Sequence, residues 1–354
     1  MRSKWKALVC AGVLAVLSSG AAADNWGQFL GLQERKGLVE NSAKEIARLT
    51  QAVKRGDKTA IYPLSYAHAV YIPPDVTTPK GAAKAEASRK RSFELLVKAA
   101  EAGDPRGILE YAFHFSRRYH LETAAQWLEK GMKLGHLDAT AYYAEALLYG
   151  NGVPMDKPRA VALLEQAAQA GGTKAQVKLG RVYASGEYSP ADERLGYEWL
   201  SKASAADDPD GHFWLAVFHQ VAKSPEYQDR DRALSLLLRA GNLGHLRAQI
   251  ELAKKFAARN QPGDLQLAKA WLDAFVRDWG PWVNATEQEQ VNQLSLAVHD
   301  ALRYMRNTTV TVRSGGSAPV EPQSQTGMFN GHILPMQDHP QYCQVFGNDS
   351  ATCR

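Results

Sequence analysis

The stretch "LYGNGVPMDKPRAVALLEQAAQAGG", residues 148–172, decides the fold of this chain. It opens with a Gly-Asn-Gly loop and a proline, which separate one helix from the next. In the helix that follows, Ala160, Leu164 and Ala167 have the spacing that puts side chains on one face. The helix stops at paired glycines, because Gly171 suits the left-handed conformation that ends a helix. The stretch therefore predicts one junction in a series of helices.

The same frame recurs along the chain. Its large residue is a leucine, and successive copies lie 32 to 37 residues apart, at Leu96, Leu128, Leu164, Leu200, Leu237 and Leu272. A recurring period of this size is typical of helical solenoids. Two junctions carry an N-cap acceptor followed by proline, Asp104-Pro105 and Asp208-Pro209, and Thr173 with Gln176 has the spacing of a capping box. We predict an all-α solenoid of antiparallel helix pairs.

These residues carry a family resemblance. The segment "ATAYYAEALLYGNGVPMDKPRAVALLEQAAQAGG", residues 139–172, resembles a full Sel-1-like repeat, a relative of the tetratricopeptide repeat. The resemblance implies a right-handed α-solenoid, which we assign to residues 41–283. Two copies depart from the pattern, because "ASGEYSPADERL" lacks the second glycine and "SRRYHLETAA" has a shorter loop.

The first 23 residues have the layout of a secretory signal peptide. Arg2, Lys4 and Lys6 precede an apolar run, and three alanines at 21–23 offer a cleavage site before Asp24. The run is too short to span a membrane well. We therefore predict a periplasmic or secreted protein without stable membrane insertion after signal cleavage, with residues 24–40 forming an N-terminal arm or cap.

Past the repeats, the composition changes twice. An apolar stripe predicts a C-terminal capping helix at residues 284–309, because terminal repeats need a cap with a polar outer face. Residues 310–354 have no helical period and predict a linker with a flexible tail. In an exported protein, the pair Cys343 and Cys353 predicts a disulfide. Two interpretations of this tail remain open, a loosely ordered end or a closed peptide that docks on the solenoid or on a partner.

The sequence gives little support to catalysis. It contains no H-E-x-x-H, G-x-S-x-G, Walker or C-x-x-C motif, so we expect no enzyme, no cofactor and no metal site. The spacing of His332, Asp338, His339 and Cys343 matches no standard metal site. Some cysteine-rich relatives within the Sel-1-like group are associated with penicillin binding or hydrolysis. Those relatives place a disulfide in each repeat, whereas the repeats here contain no cysteine.

Charge argues against nucleic acid as a partner. The formal net charge of +5 includes three bases of the signal peptide and no acid of that segment, so the mature chain is near +2. A nearly neutral chain does not favour general polyanion binding.

One column of residues predicts the partner-binding site. In Sel-1-like solenoids the first helix of each pair lines the concave face. Each helix that follows a junction carries a small residue, at Gly107, Ala139, Ala175, Gly211 and Ala248. The position three residues after it varies freely, at Glu110, Tyr142, Lys178, Trp214 and Glu251. Aromatic rings supply contact area and charges supply register in interfaces. The alternative interpretation places Tyr142 and Trp214 in the core.

Together these features predict a non-enzymatic periplasmic scaffold or adaptor that binds a protein partner of unknown identity. The alternative is a scaffold of a surface-polysaccharide or cell-envelope assembly complex, whose groove holds a glycan or a biosynthetic enzyme. Aromatic-lined grooves stack sugars as well as peptides, so the sequence does not decide between the two.

Overall fold

A computed structural model of the protein describes residues 32–186, 192–279 and 285–313. Within these ranges every regular element is a helix, as predicted. Two short 3₁₀ helices lie at Lys58–Ala60 and Pro225–Tyr227. The predicted signal peptide and the predicted disulfide lie outside the described residues. The α-helices are α1 Leu32–Glu40, α2 Ser42–Lys54, α3 Ile61–Ala69, α4 Pro79–Glu101, α5 Pro105–Ser116, α6 Leu121–Lys133, α7 Leu137–Tyr149, α8 Lys157–Gln169, α9 Thr173–Ser185, α10 Glu193–Ala205, α11 Pro209–Val221, α12 Arg230–Asn242, α13 Leu246–Ala257, α14 Pro262–Trp279 and α15 Ala285–Arg313.

The helices form two compact units, which divide within α9 after Lys178. In the first unit, each helix from α2 to α7 packs against the next helix along the chain. In the second unit, each helix from α10 to α14 does the same. Each unit is therefore a series of packed neighbouring helices, the arrangement that the repeat predicts.

The repeat frame forms the core of both units. All six frame leucines are buried, and Leu96 and Leu164 are fully enclosed. The small residue three positions later is buried too, as at Ala99 and Ala167, which lets the neighbouring helix approach closely. Burying one leucine contributes about 1.5–3 kcal/mol, so repetition of the frame supplies much of the stability of a fold whose repeats contain no cysteine.

The junctions have the predicted backbone conformation. Gly103, Gly135 and Gly171 have φ of +82°, +83° and +92°, the left-handed region that favours glycine. Asp207 occupies the equivalent position with φ of +58°. The left-handed stop at each junction is confirmed, and one copy makes it without glycine.

Helix starts agree with the prediction at two of three junctions. Asp104 accepts hydrogen bonds from the backbone N–H of Arg106 and Gly107, and Asp208 does the same for its own helix. The capping box at Thr173 is wrong, because Thr173 is the first residue of α9. The buried side chain of Gln176 instead donates to the carbonyl of Ala168, 3.1 Å away in the preceding helix.

The final described helix is longer than predicted. It runs from Ala285 to Arg313, so it begins one residue later and ends four residues later than the predicted capping helix. Val291 and Val298 on its apolar stripe are buried, and the helix packs against α14. Within the second unit, the final helix therefore covers α14, the last repeat helix.

Candidate partner-binding site

Helix α7 presents Tyr142 on the side of the helix that is not packed into the core. Tyr143, Ala144 and Leu147 are buried, because they face the neighbouring helices. Tyr142 and Glu145 are only partly buried. Tyr142 is therefore neither a fully buried core residue nor a fully exposed contact residue. Its ring is supported on some sides and accessible on another.

Neighbours hold the Tyr142 ring on two sides. The Phe113 ring of α5 meets it edge to face, with 4.9 Å between the ring centroids. The ammonium nitrogen of Lys178, on α9, lies 4.3 Å from the centroid of the ring. The same nitrogen lies 2.7 Å from a carboxylate oxygen of Glu145. We call Phe113, Tyr142 and Lys178 the aromatic face of the first unit.

This packing fixes the geometry of the aromatic face before any partner binds. The side chain of Lys178 is only 12% exposed, so its cation–π contact is partly shielded from water and is worth about 1–2 kcal/mol. A ring and a cation held in place lose little conformational entropy on binding. The preformed aromatic face is therefore suited to binding a partner.

An apolar pocket of about 250 Å³ opens beside the aromatic face. It lies between α5, α6 and α7 because small residues, Ala112, Ala124 and Ala125, leave space there. Tyr142 and Tyr149 lie on its wall, and the Glu145 carboxylate adds a polar group. A pocket of this size accommodates one large apolar side chain.

Trp214 in the second unit has a similar environment. The guanidinium of Arg181 lies 3.9 Å from the centroid of the Trp214 ring. Phe213 contacts the same ring at 5.3 Å and also stacks on His245 at 4.3 Å between ring centroids. Trp214 is partly buried, so it also has a supported face and an accessible face.

The residues at the two ends of the predicted column differ in exposure. Glu110 is fully buried, and its carboxylate accepts a hydrogen bond of 3.0 Å from the hydroxyl of Tyr62 and one of 3.3 Å from Arg117. Glu110 is thus corrected to a core residue and removed from the partner-binding set. Glu251 is exposed and pairs with Lys254 at 3.0 Å. Partner contact by Tyr142, Lys178, Trp214 and Glu251 stays a prediction.

A Ser–His–Asp arrangement in the second unit escaped the sequence analysis. The hydroxyl oxygen of Ser204 lies 2.8 Å from Nδ1 of His212. Nε2 of the same imidazole lies 2.8 Å from the Asp207 carboxylate, which also accepts a hydrogen bond from Arg239 at 2.8 Å. The connections resemble those of a hydrolase triad. No motif signals them, because all three residues occupy ordinary repeat positions.

Comparison with the other repeats indicates that the Ser204, His212 and Asp207 arrangement has a structural role. Gln176 and Gln249 occupy the position of His212, and each donates to a carbonyl of the preceding helix, that of Ala168 or Gly241. His212 makes the same link to the preceding helix through Ser204. Ser204 and His212 are both buried, whereas a nucleophile must be reached by its substrate. The cluster therefore joins two helices.

The cluster predicts a pH-dependent contribution to stability. The hydrogen bonds from Arg239, and then from His212, hold the pKa of Asp207 below its usual value. A lowered pKa stabilises the fold above the unfolded-state pKa of about 4, and this contribution is lost as pH falls through the folded-state pKa. Asp207→Asn should therefore lower the Tm at neutral pH, and the difference from wild type should shrink in acid.

Thermal melts at neutral pH and through the acid range test this expectation. Asp231→Asn, at an exposed site on α12, is the control. A difference in Tm between wild type and Asp207→Asn that stays constant in acid would contradict it.

The residues that the structure describes hold neither a metal cluster nor a membrane-spanning helix. No group of three or more histidine, cysteine, aspartate or glutamate side chains in those residues has the arrangement of a metal site. No helix within residues 32–186, 192–279 and 285–313 combines the length and the apolar character needed to cross a membrane.

Comparison with known proteins agrees with the repeat frame. Residues 80–104, 137–172, 173–208 and 209–245 match the model of the Sel1 repeat. These four segments of the chain are therefore similar to Sel1 repeats. Repeats of this type generally form non-catalytic scaffolds that bind other proteins. Tyr142, Lys178 and Trp214 all lie within matched repeats.

Curated relatives match part of this chain. A stretch of 108 residues is 33% identical to the Sel1-repeat-containing protein YjcO of Escherichia coli K12, and covers 30% of this chain and 47% of that protein. The uncharacterized protein YjcO of Shigella flexneri matches to the same extent. The chain thus spans about half the length of these curated relatives.

Solved structures with distant sequences are also similar. One is a Sel1 repeat protein of Oxalobacter formigenes, with 18% identity and a TM-score of 0.42 over 65% of this chain and 96% of that one. Another is c5321, a protective antigen of uropathogenic Escherichia coli with an SLR fold, with 16% identity and a TM-score of 0.37 over 79% of this chain and 84% of that one.

Proposed function

We propose that this protein is a non-enzymatic periplasmic scaffold that binds a partner protein on the aromatic face of its first unit. The observation that carries the proposal is the half-buried Tyr142 ring, held between Phe113 and Lys178 beside an apolar pocket. Aromatic residues fixed next to a pocket are the usual anchors of protein interfaces. The Sel1 repeat supports a role in protein–protein binding.

The pocket suggests the kind of contact that the partner makes. Its wall is formed mainly by alanines and rings, so a large apolar side chain of the partner fills it by desolvation. Glu145 and Lys178 beside it form an ion pair of 2.7 Å and offer charged groups to the partner's backbone or polar side chains. The proposed partner therefore inserts one leucine, methionine or aromatic side chain.

Tyr142→Ala tests this function. Removing the ring should weaken the binding of the partner by about 1–3 kcal/mol, the usual cost of losing an aromatic anchor. Because the ring is partly accessible, the Tm should fall by only a few degrees. Binding of the purified partner is measured by calorimetry beside a thermal melt of each variant.

Tyr71→Ala is the matched control, because Tyr71 is a partly buried tyrosine of the same unit outside the aromatic face. It should leave binding unchanged. Equal weakening by both substitutions, or a large loss of Tm in Tyr142→Ala without a loss of affinity, would return Tyr142 to a purely structural role.

The location in the periplasm is part of the proposal. Its support is the basic and apolar pattern of residues 1–23 with small residues before Asp24. Fractionation of cells that express the full chain, with sequencing of the purified N-terminus, tests it. We expect a periplasmic protein that begins at Asp24, and an uncleaved cytoplasmic protein would contradict this location.

A further inference from the structure

Tyr119 has two properties that are unusual for a tyrosine. It lies between α5 and α6 with 89% of its surface exposed. Its backbone has φ of +61°, in the left-handed region, where a bulky side chain is an outlier. The fold therefore tolerates both strain and an exposed ring at this position.

The packing of the fold offers no reason for a tyrosine here. The other helix ends in this conformation mostly use glycine, as at Gly103 and Gly135. Asp207, which is not glycine, gains hydrogen bonds to His212 and Arg239. The exposed ring of Tyr119 gains no comparable hydrogen bonds. Strained residues that packing does not explain point to function.

A concavity of about 600 Å³ opens at Tyr119. One wall is the start of α6, with His120, Glu122 and Thr123, and the other is the loop after α7. Gly152 brings that loop against α6, since a Cβ atom at Gly152 would overlap the carbonyl of Leu121. We call this space the loop-edge concavity. It adjoins the apolar pocket beside Tyr142, and Leu121 lines both.

The chemistry of the loop-edge concavity differs from that of the apolar pocket. The carboxylate of Glu122, the hydroxyl of Thr123 and the imidazole of His120 supply acceptors and donors. Among the residues that line it, Glu122 is the one with a permanent charge. Leu121, Val153 and Pro154 add apolar surface, but the lining is more polar than apolar. The concavity therefore pairs an accessible ring with several groups that hydrogen-bond to hydroxyls.

We propose that the loop-edge concavity binds a neutral oligosaccharide of β-linked, gluco-configured pyranose units. In these sugars all the large substituents are equatorial, so the C–H groups form a flat apolar face that stacks on a ring such as Tyr119. The sugar hydroxyls then donate to Glu122 and exchange hydrogen bonds with Thr123 and His120. The negative charge of Glu122 disfavours acidic sugars. A protein segment would need apolar anchoring that this concavity provides poorly.

Trisaccharides of known structure serve as probes. Cellotriose and chitotriose are added separately to the full chain, and saturation-transfer NMR with calorimetric titration measures binding. Cellotriose tests the gluco-configured ring itself, and chitotriose tests whether an acetamido group is accepted. A β-1,4-linked trisaccharide of glucuronic acid, which keeps the gluco configuration, is the acidic comparison and should bind more weakly.

Tyr119→Gly separates binding from folding. Glycine favours the left-handed conformation, so the Tm should stay the same or rise. Affinity for the trisaccharide should fall about tenfold or more, as expected for the loss of an anchoring ring. Tyr119→Trp should keep the affinity, because it retains a stacking surface. Tyr304→Ala, at another exposed tyrosine, should change nothing.

Either of two results would overturn the oligosaccharide proposal. The first is the absence of saturation transfer to both neutral trisaccharides at millimolar concentration. The second is unchanged affinity in Tyr119→Gly. If Tyr119→Gly instead weakens only the protein partner of the aromatic face, the concavity is a second protein-binding surface. Failure here leaves the Tyr142 proposal standing, since the two tests use different residues and ligands.

Discussion

Replacing Glu110 with alanine should lower the free energy of unfolding by about 3–5 kcal/mol, the cost of breaking a buried charged pair from one side. Glu110 is fully buried and holds the hydroxyl of Tyr62 and the guanidinium of Arg117. Without the carboxylate, the hydroxyl loses its acceptor in the core, and the Arg117 side chain, 25% exposed, loses its counter-charge. Chemical denaturation at neutral pH measures the change.

Glu251→Ala is the matched control, because Glu251 holds the same column position but is exposed. Its pair with Lys254 is a surface contact between residues three positions apart, and such pairs contribute well under 1 kcal/mol. If Glu110→Ala were as mild as Glu251→Ala, the buried network around Glu110 would not exist in solution. Glu110 would then return to the partner-binding set.

Gly152→Ala should destabilise the protein by about 2–5 kcal/mol, from a left-handed backbone and from overpacking. Gly152 has φ of +75°, and an added Cβ atom would overlap the backbone of Leu121 and Glu122. Backbone atoms at the start of α6 move less easily than the end of a flexible side chain. The loop after α7 must therefore shift away, and thermal and denaturant melts should record the loss.

Gly171→Ala is the control for the backbone conformation alone. Gly171 has φ of +92°, but no atom lies within 4 Å of the position of an added Cβ, so the expected cost is only about 1–2 kcal/mol. From the sequence alone we expect Gly171→Val to be more harmful than Gly152→Ala. The structure raises the expected cost of Gly152→Ala, because the added Cβ atom would overlap backbone atoms of α6. Equal losses for alanine at both glycines would contradict the close packing of the loop on α6.

The sequence predicts the repeated elements well, because each copy contains its own local signals. The buried Leu164 and the left-handed Gly171 follow from spacing and from glycine chemistry within one copy. Repetition then turns a weak local pattern into a reliable frame. Even Asp207, which replaces the junction glycine, keeps the left-handed conformation that its place in the frame predicts.

The environment of single residues is harder to predict, because it depends on distant parts of the chain. The burial of Glu110 depends on Tyr62, which lies 48 residues earlier and belongs to a helix outside the clear repeats. Lys178 contacts Glu145 across 33 residues, so the column could suggest Lys178 but not its place over Tyr142. Tyr119 lies where the copy departs from the repeat pattern, and its exposure has no local signal.

The two proposed surfaces of the first unit differ in their chemistry. The aromatic face has a small apolar pocket that fits a protein side chain, whereas the loop-edge concavity is polar and carries an exposed ring. A scaffold with both would hold a protein partner near a glycan. Tyr142→Ala tests the aromatic face, and Tyr119→Gly tests the loop-edge concavity.

Site-directed photo-crosslinking at Tyr142 in living cells tests the central claim most directly. A photoreactive phenylalanine analogue replaces Tyr142 in one strain and the exposed Gln126 of α6 in another. We predict that position 142 gives one discrete adduct, that position 126 does not, and that the identified protein, once purified, binds wild type more tightly than Tyr142→Ala. No adduct at position 142, or the same adducts from both positions, would contradict a partner-binding role for the aromatic face.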